Sequence, residues 1–322
     1  MSGSRHIGVV LLNLGGPYGQ EAVAPFLRSL LSDPDVMPLP WPLRPLLARR
    51  IARKRAPVVA EHYRRLGGGS PIEEQTRAQV AALQDALGPG FLVRFAFRHA
   101  PPRARQAVRE LAAAGVRQLV ALPAYPHWSG STTGSALRDL ERAAALHGIQ
   151  VCPVRSYPEG RGYLEALAQL TRPLLSDGAR VVLSAHGLPE SFVRRGDPYV
   201  DEVRATARAL ADYLPAGTEC TLAFQSRMGR GEWTRPYLVD EIRRLGKEGA
   251  GAVVVVPLSF ACENLETLYE LDVEVAGLAR SSGIASYRRV PAPGNHDLFI
   301  DELATQVQRR VTAAGWEITR GA

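Results

Sequence analysis

The chain has 322 residues, 46% of them hydrophobic and 22% charged, with a formal net charge of +7. That balance excludes a peptide-sized module, a disordered chain and a collagen-like repeat, and it predicts a soluble globular protein of about two domains or one large one. The positive excess suits an anionic partner (nucleic acid, a phospholipid surface or an acidic small molecule), and no apolar run approaches the roughly 20 residues of a membrane-spanning helix.

After MSGSRH, the run IGVVLLNLGGP is too short for a signal peptide's core and lacks a small-residue cleavage site, so it reads as a buried strand over Ile7–Asn13. LNLGGP fits a tight strand-exit turn better than a phosphate cradle, because it is not GxGxxG and no P-loop lysine follows. Pro38 to Pro57 carries four prolines early, then Arg49, Arg50, Arg53, Lys54 and Arg55 among Leu46, Leu47 and Ile51, with no acid. Two readings stand level: a solvated basic helix, or an amphipathic lip that meets an anionic surface or substrate.

Helical spacing and short Val/Ile/Leu runs then alternate. Helix Pro71–Leu87 precedes strand Phe91–Phe97, helix Pro102–Ala114, strand Gln118–Pro123, helix Thr133–His147 and strand Gln150–Val154. The second half repeats the pattern: helix Gly160–Ser176, strand Arg180–Ala185, helix Asp197–Tyr213, strand Cys220–Gln225, helix Tyr237–Gly246, strand Ala252–Pro257, helix Thr267–Ala279, strand Ala285–Arg289 and helix Leu298–Ala314. Such alternation predicts the α/β class, with parallel sheets covered by helices. GVVLLNLGGP echoes RVVLSAHGLP, and RQLVALPAYP echoes AVVVVPLSFA, which suggests duplicated domains of residues 1–157 and 158–322, the last helix a candidate to pack back on the first.

In parallel sheets, ligands bind beyond the carboxyl ends of the strands, so the loops there carry most weight. His186 ends a buried run and precedes glycine, which favours ligand access over a satisfied core position. Glu263, Glu266 and Glu270 stand at helical spacing with no lysine or arginine among them, which in a strongly basic chain points to a site for a cation or for protons over a solvated face. One imidazole with carboxylates is a ligand set that fits iron(II) and similar ions. Hydrolysis lacks a GxSxG elbow and a reactive cysteine, and nucleic-acid binding lacks any RNP, KH or zinc-finger pattern. Cys152, Cys220 and Cys262 are odd in number and widely spaced, so no disulfide framework is expected and the cytosol is the default compartment.

LNLGGP, HYRRLGGGSPI, YPHWSGSTTGSAL, SAHGLP with RGDPY, FQSRMG with Trp233, and SFACENLETLYELD, in that order, resemble ferrochelatase, which inserts Fe²⁺ into a porphyrin at the end of haem synthesis. The resemblance covers nearly the whole chain. It implies two Rossmann-like domains with an active-site cleft between them, and it places the family's histidine at His186 and its cleft glutamate at Glu266, both as catalytic groups and metal ligands. Metal delivery and proton removal fall to these two in either order. By the same resemblance Leu14 and Phe260 face the macrocycle, Tyr125 and Trp233 form pocket walls, Arg55, Ser70 and Arg98 handle propionates or polar groups, and Glu270 continues an acidic line.

Departures from the family pattern refine this. Leu14 replaces the tyrosine of coproporphyrin enzymes, or the methionine of animal ones, and so favours protoporphyrin IX; the alternatives are a coproporphyrin III ferrochelatase, a related chelatase that loads Co²⁺ or Ni²⁺ into a more polar tetrapyrrole, and a non-catalytic tetrapyrrole carrier. Asn264 stands where many relatives have a second histidine, and His99 replaces a tyrosine. A [2Fe–2S] cluster needs four cysteines, whereas this chain has three and carries Gly130 at one ligand position, so Fe²⁺ is expected as substrate and no cofactor is retained. The basic segment Arg44–Arg55 is expected to serve the anionic porphyrin, the inner face of a membrane by reversible attachment, or both, and no nucleic-acid partner is expected.

Overall fold

A computed structural model describes residues 6–228 and 231–318. Gly229, the last residue of FQSRMG, lies outside the described residues. The chain forms two compact units, Met1–Ser156 with Ile300–Ala322, and Tyr157–Phe299, so most of the final helix belongs with the first unit.

In the first unit β1 (Ile7–Asn13) is flanked by β2 (Phe91–Phe97) and β3 (Gln118–Pro123), with β4 (Gln150–Pro153) outermost beside β3, all parallel. Its helices are α1 (Val23–Leu31), α2 (Leu43–Arg65), α3 (Ile72–Leu87), α4 (Ala104–Ala113) and α5 (Ser135–Ala145). Every residue of β1 is buried, as expected of a central parallel strand covered on both faces. Val10, Leu12 and Leu119 form a core with Ala107, Val108 and Leu111 of α4 and Leu137 and Leu140 of α5.

The second unit repeats this arrangement. It contains α6 (Arg161–Thr171), β5 (Arg180–His186), α7 (Glu190–Val193), α8 (Tyr199–Ala211), β6 (Cys220–Gln225), α9 (Leu238–Lys247), β7 (Ala252–Pro257), α10 (Ala276–Ser281) and β8 (Ser286–Arg289), and it leads into α11 (Asp297–Ala313). Its strand order, β6-β5-β7-β8, matches β2-β1-β3-β4 position for position. Asn13 and His186 are each the last residue of a seven-residue central strand. In both units the chain leaves the central strand for one neighbour and later returns on its other side, which creates a switch point where strand ends open a crevice.

The helices departed most from expectation. α2 continues through Pro57 to Arg65, so the basic segment is the first half of one 23-residue helix and not a separate element. Helix Thr133–His147 instead opens with a π-turn over Gly130–Gly134, and Thr267–Ala279 is mostly a ten-residue π-helix, Glu266–Val275. Both π segments follow the equivalent strands β3 and β7, and such wide turns recur at functional sites. No helix among the described residues is long and apolar enough to cross a membrane.

Candidate active site

The second unit's switch point lies between the ends of β5 and β7, and His186 terminates β5 there. Gly187 and Leu188 carry the chain out, and Pro189 pairs with Trp233 in an antiparallel bridge, which fixes the exit loop. Thr234 N–H donates to Leu188 O at 3.0 Å, and the Thr234 hydroxyl accepts Leu188 N–H at 3.1 Å. Gly187 is required by space: a Cβ there would sit 2.8 Å from Gln225 O and 3.3 Å from Trp233 Cε3.

The imidazole of His186 is oriented through its Nδ1, and the residue's backbone is held on both sides. Its Nδ1 lies 2.7 Å from Gly187 O, and because a carbonyl only accepts, Nδ1 carries the proton and Nε2 keeps a lone pair. Its backbone is held by Ser259 Oγ, which accepts His186 N–H at 2.8 Å, and by the Tyr199 hydroxyl, which donates to His186 O at 2.9 Å. Phe260 packs beside it, with ring centroids 6.4 Å apart. The half-buried ring can thus take a proton or ligate an ion at Nε2.

Beyond β7, Asn264 opens the π-helix. Its Oδ1 accepts Thr267 N–H at 3.1 Å while the Thr267 hydroxyl accepts Asn264 N–H at 3.0 Å, a reciprocal cap that occupies this side chain structurally. Leu271 and Val275 on the buried side pack into a core with Ile242 and Leu245 of α9. Glu266 and Glu270, four residues apart in this i→i+5 helix, lie on the same side of it about one turn apart. Gln225, the register partner of His186, donates from Nε2 to Glu266 O at 3.0 Å and to Glu270 Oε2 at 3.2 Å. One amide therefore links the strand pair that ends in His186 to the acidic turn.

The acidic stripe is smaller than the sequence suggested. Arg289 of β8 binds both carboxylate oxygens of Glu263, at 2.8 and 3.0 Å, and forks onto Asp272 at 2.7 and 2.8 Å. A cation remote in sequence thus neutralises two of the acids, leaving Glu266 and Glu270, with Glu274 one turn on and raised by burial and by the charge of Glu270. Among the described residues no three His, Cys, Asp or Glu side chains form a metal cage.

The remaining residues singled out from sequence belong to the first unit. Leu14 follows β1, and its carbonyl accepts His99 N–H at 3.0 Å, beside Arg98, whose N–H reaches Asn13 O at 2.9 Å. Gly15, at φ 84°, and Gly16 let this turn close: a Cβ on Gly16 would lie 2.6 Å from the Cβ of Ser70. Arg98 Nε donates to Ser135 Oγ at 2.6 Å and Nη2 pairs with Asp33 at 2.8 Å. The Tyr125 hydroxyl is buried without a hydrogen-bond partner among the described residues, and burial raises its pKa. Arg55 stays on the exposed face of α2. Sequence reasoning passed over Gln225, Ser226, Tyr199, Ser259, Asp33 and Arg289; only the Asn264-x-x-Thr267 cap had a local signature.

A model of the ferrochelatase family matches residues 6–311. The ferrochelatase of Gloeothece citriformis is 39% identical over 332 residues, covering 98% of this chain and 86% of that protein. That of Geotalea daltonii is 39% identical over 313 residues, covering 95% and 98%. The fold is similar to that of SirB from Bacillus subtilis with Fe³⁺, at a TM-score of 0.58 and 15% identity over 76% of this chain and 92% of SirB. It is also similar to CbiX, the terminal enzyme for biosynthesis of sirohaem in denitrifying bacteria, at a TM-score of 0.53 and 16% identity over 95% and 99%. The family match spans all eight strands of both sheets, and the identity holds across nearly the full length: the chain belongs to the ferrochelatase family, metal chelatases and lyases of haem biosynthesis.

Proposed function

We propose that the chain inserts Fe²⁺ into protoporphyrin IX to form protohaem with release of two protons. The observation that carries this is His186: an imidazole whose Nδ1–H is committed to Gly187 O, with Nε2 left to accept, at the end of β5 and joined through Gln225 to the turn bearing Glu266. Insertion demands that the ion shed water, that the macrocycle bend to expose its nitrogen lone pairs, and that two N–H protons leave. Bending stores roughly 1–5 kcal/mol, drawn from contacts remote from the metal. His186 and Glu266 divide metal delivery and proton removal, and a pair of ligands in place of a cage suits an ion that is handed on. Leu14, Tyr125, Trp233 and Phe260 are assigned to the porphyrin's apolar surface, and Arg55, Ser70 and the remaining N–H donors of Arg98 to its carboxylates; Glu270 continues the acidic line from Glu266.

Leu14 supports protoporphyrin over coproporphyrin, since an apolar residue there suits the less charged ring. Iron is substrate here, and with three cysteines the chain cannot supply the four thiolates of a resident iron–sulfur cluster. The segment around α2 supports reversible attachment to an anionic membrane: Trp41 is 76%, Leu43 59% and Leu46 69% exposed, next to Arg49, Arg50 and Arg53. An anaerobic assay with Fe²⁺ and either porphyrin tests the reading. Haem formation from protoporphyrin, with turnover lower by at least about 100-fold in His186→Ala, is the expected result; a clear preference for coproporphyrin reverses the substrate choice, and unchanged turnover in the variant removes His186 from the chemistry.

A further inference from the structure

Ser226 is the one non-glycine among the described residues with positive φ, at 64°. L side chains seldom adopt that left-handed region, so the contacts around Ser226 must favour it. What holds it is Glu270. Ser226 N–H donates to Glu270 Oε1 at 2.6 Å, and its hydroxyl donates to Oε2 at 2.5 Å.

The neighbouring residue completes the arrangement. The Ser184 hydroxyl donates to Gln225 Oε1 at 2.7 Å, which turns Gln225 Nε2 toward Glu270 Oε2 and Glu266 O. Glu270 thereby accepts three hydrogen bonds from two consecutive residues at the end of β6, beside His186 in register. Glu263 and Asp272, two other acids of the stretch, are held by Arg289. Glu270 is thus tied by neutral donors.

We propose that Ser226 is a positioning residue for metal handling: its strained clip on Glu270 anchors the π-helix to the strand pair ending in His186 and so sets where Glu266 is presented. This rests on the assignment of His186 and Glu266 as the metal-handling pair. Partners that orient ligands from outside the coordination sphere commonly change metal affinity about 10- to 100-fold when removed.

The decisive variant is Ser226→Gly, because glycine relieves the backbone strain while deleting the hydroxyl donor. A purely structural serine predicts that Tm and activity rise or fall together. Positioning predicts a Tm equal to or above wild type, a KM for Fe²⁺ raised about ten-fold, and a KM for porphyrin within about two-fold. Gln225→Glu, which sets a carboxylate against Glu270, should raise the metal KM in the same way. Metal KM within two-fold of wild type in Ser226→Gly, or a parallel loss of Tm and both KM values, overturns the proposal. Zn²⁺ titration calorimetry keeps the two ideas separable. If wild type metallates no porphyrin, the functional reading falls, while Zn²⁺ binding about ten-fold weaker in Ser226→Gly still upholds the clip; equal binding, or none in wild type, overturns it.

Discussion

Asp33, on the connection between α1 and α2, places Oδ2 2.8 Å from Nη2 of Arg98, which follows β2, and the pair is nearly dry, with side chains 1% and 15% exposed. Ser135 at the start of α5 completes the node by donating to Asp33 and accepting from Arg98 Nε. Breaking such a pair leaves a buried charge without its partner, which costs about 3–5 kcal/mol. Asp33→Ala should lower the unfolding free energy by that amount in urea titrations, and Arg98→Ala should do nearly the same. If Arg98→Ala lost porphyrin affinity with its stability intact, Arg98 would serve the substrate alone and the node would carry no structural weight.

His99, adjoining this node, is pushed down to about 3 by burial first and by the charge of Arg98 second. The unfolded chain takes up this proton below about pH 6.5, whereas the folded chain stays neutral until about pH 3. The unfolded state therefore binds more protons throughout that window, so the stability is complete above pH 6.5 and drains away as pH falls. Between pH 7 and pH 5 one such histidine accounts for about 2 kcal/mol of the loss. His99→Gln should shrink the difference between urea unfolding free energies at these two pH values by about that much; an unchanged difference would show that His99 titrates normally.

Why some of this was legible in the sequence and some was not follows from particular residues. The eight strands fell within about one residue of expectation because central parallel strands are apolar on both faces and end at Gly, Pro or polar residues. The repeated strand order was foreshadowed by the echo of GVVLLNLGGP in RVVLSAHGLP, which sets His186 against Leu14, the residue just after β1. Arg289 could not be foreseen as the partner of Glu263, since 26 residues separate them and only the β7–β8 pairing brings them together. α2 passes through Pro57 although proline forfeits one helical hydrogen bond, and Val59 and Tyr63 beyond it are buried, so packing outweighs the local break. The π-helix leaves no periodicity distinct from an α-helix over so short a stretch, and Ser226 leaves none at all.

Arg289 joins the two ends of the acidic segment, and its side chain is 10% exposed against 14% for Glu263. Its three nitrogens reach two carboxylates in a fork that an ammonium cannot reproduce. Arg289→Ala should cost about 3–5 kcal/mol, with lysine restoring only part of it. Because Tyr287 of β8 also donates to Leu271 O at 2.9 Å, some anchorage of the π-helix would survive. Hydrogen exchange should therefore quicken at residues 263–272 more than across β5; uniform quickening throughout the second unit would mean that Arg289 supports the fold globally and not this segment.

Gly187 supplies both the carbonyl that fixes the proton on His186 Nδ1 and an N–H that donates to Gln225 O at 2.8 Å. A methyl group at this position would lie 2.8 Å from that same backbone oxygen, which has no freedom to withdraw while β5 and β6 remain paired. The exit loop must shift instead, at about 1–3 kcal/mol, and the carbonyl turns away from the imidazole. Misplacement of a reacting group by about 1 Å can reduce rates about 100-fold, so Gly187→Ala should lower kcat by about 10- to 100-fold with only a modest fall in Tm. With Nδ1 no longer committed, the tautomer shifts, and the ¹⁵N shifts of His186 should register the change. Wild-type kcat accompanied by unaltered imidazole shifts would mean that the ring keeps its orientation without Gly187 O, and that its partner lies elsewhere.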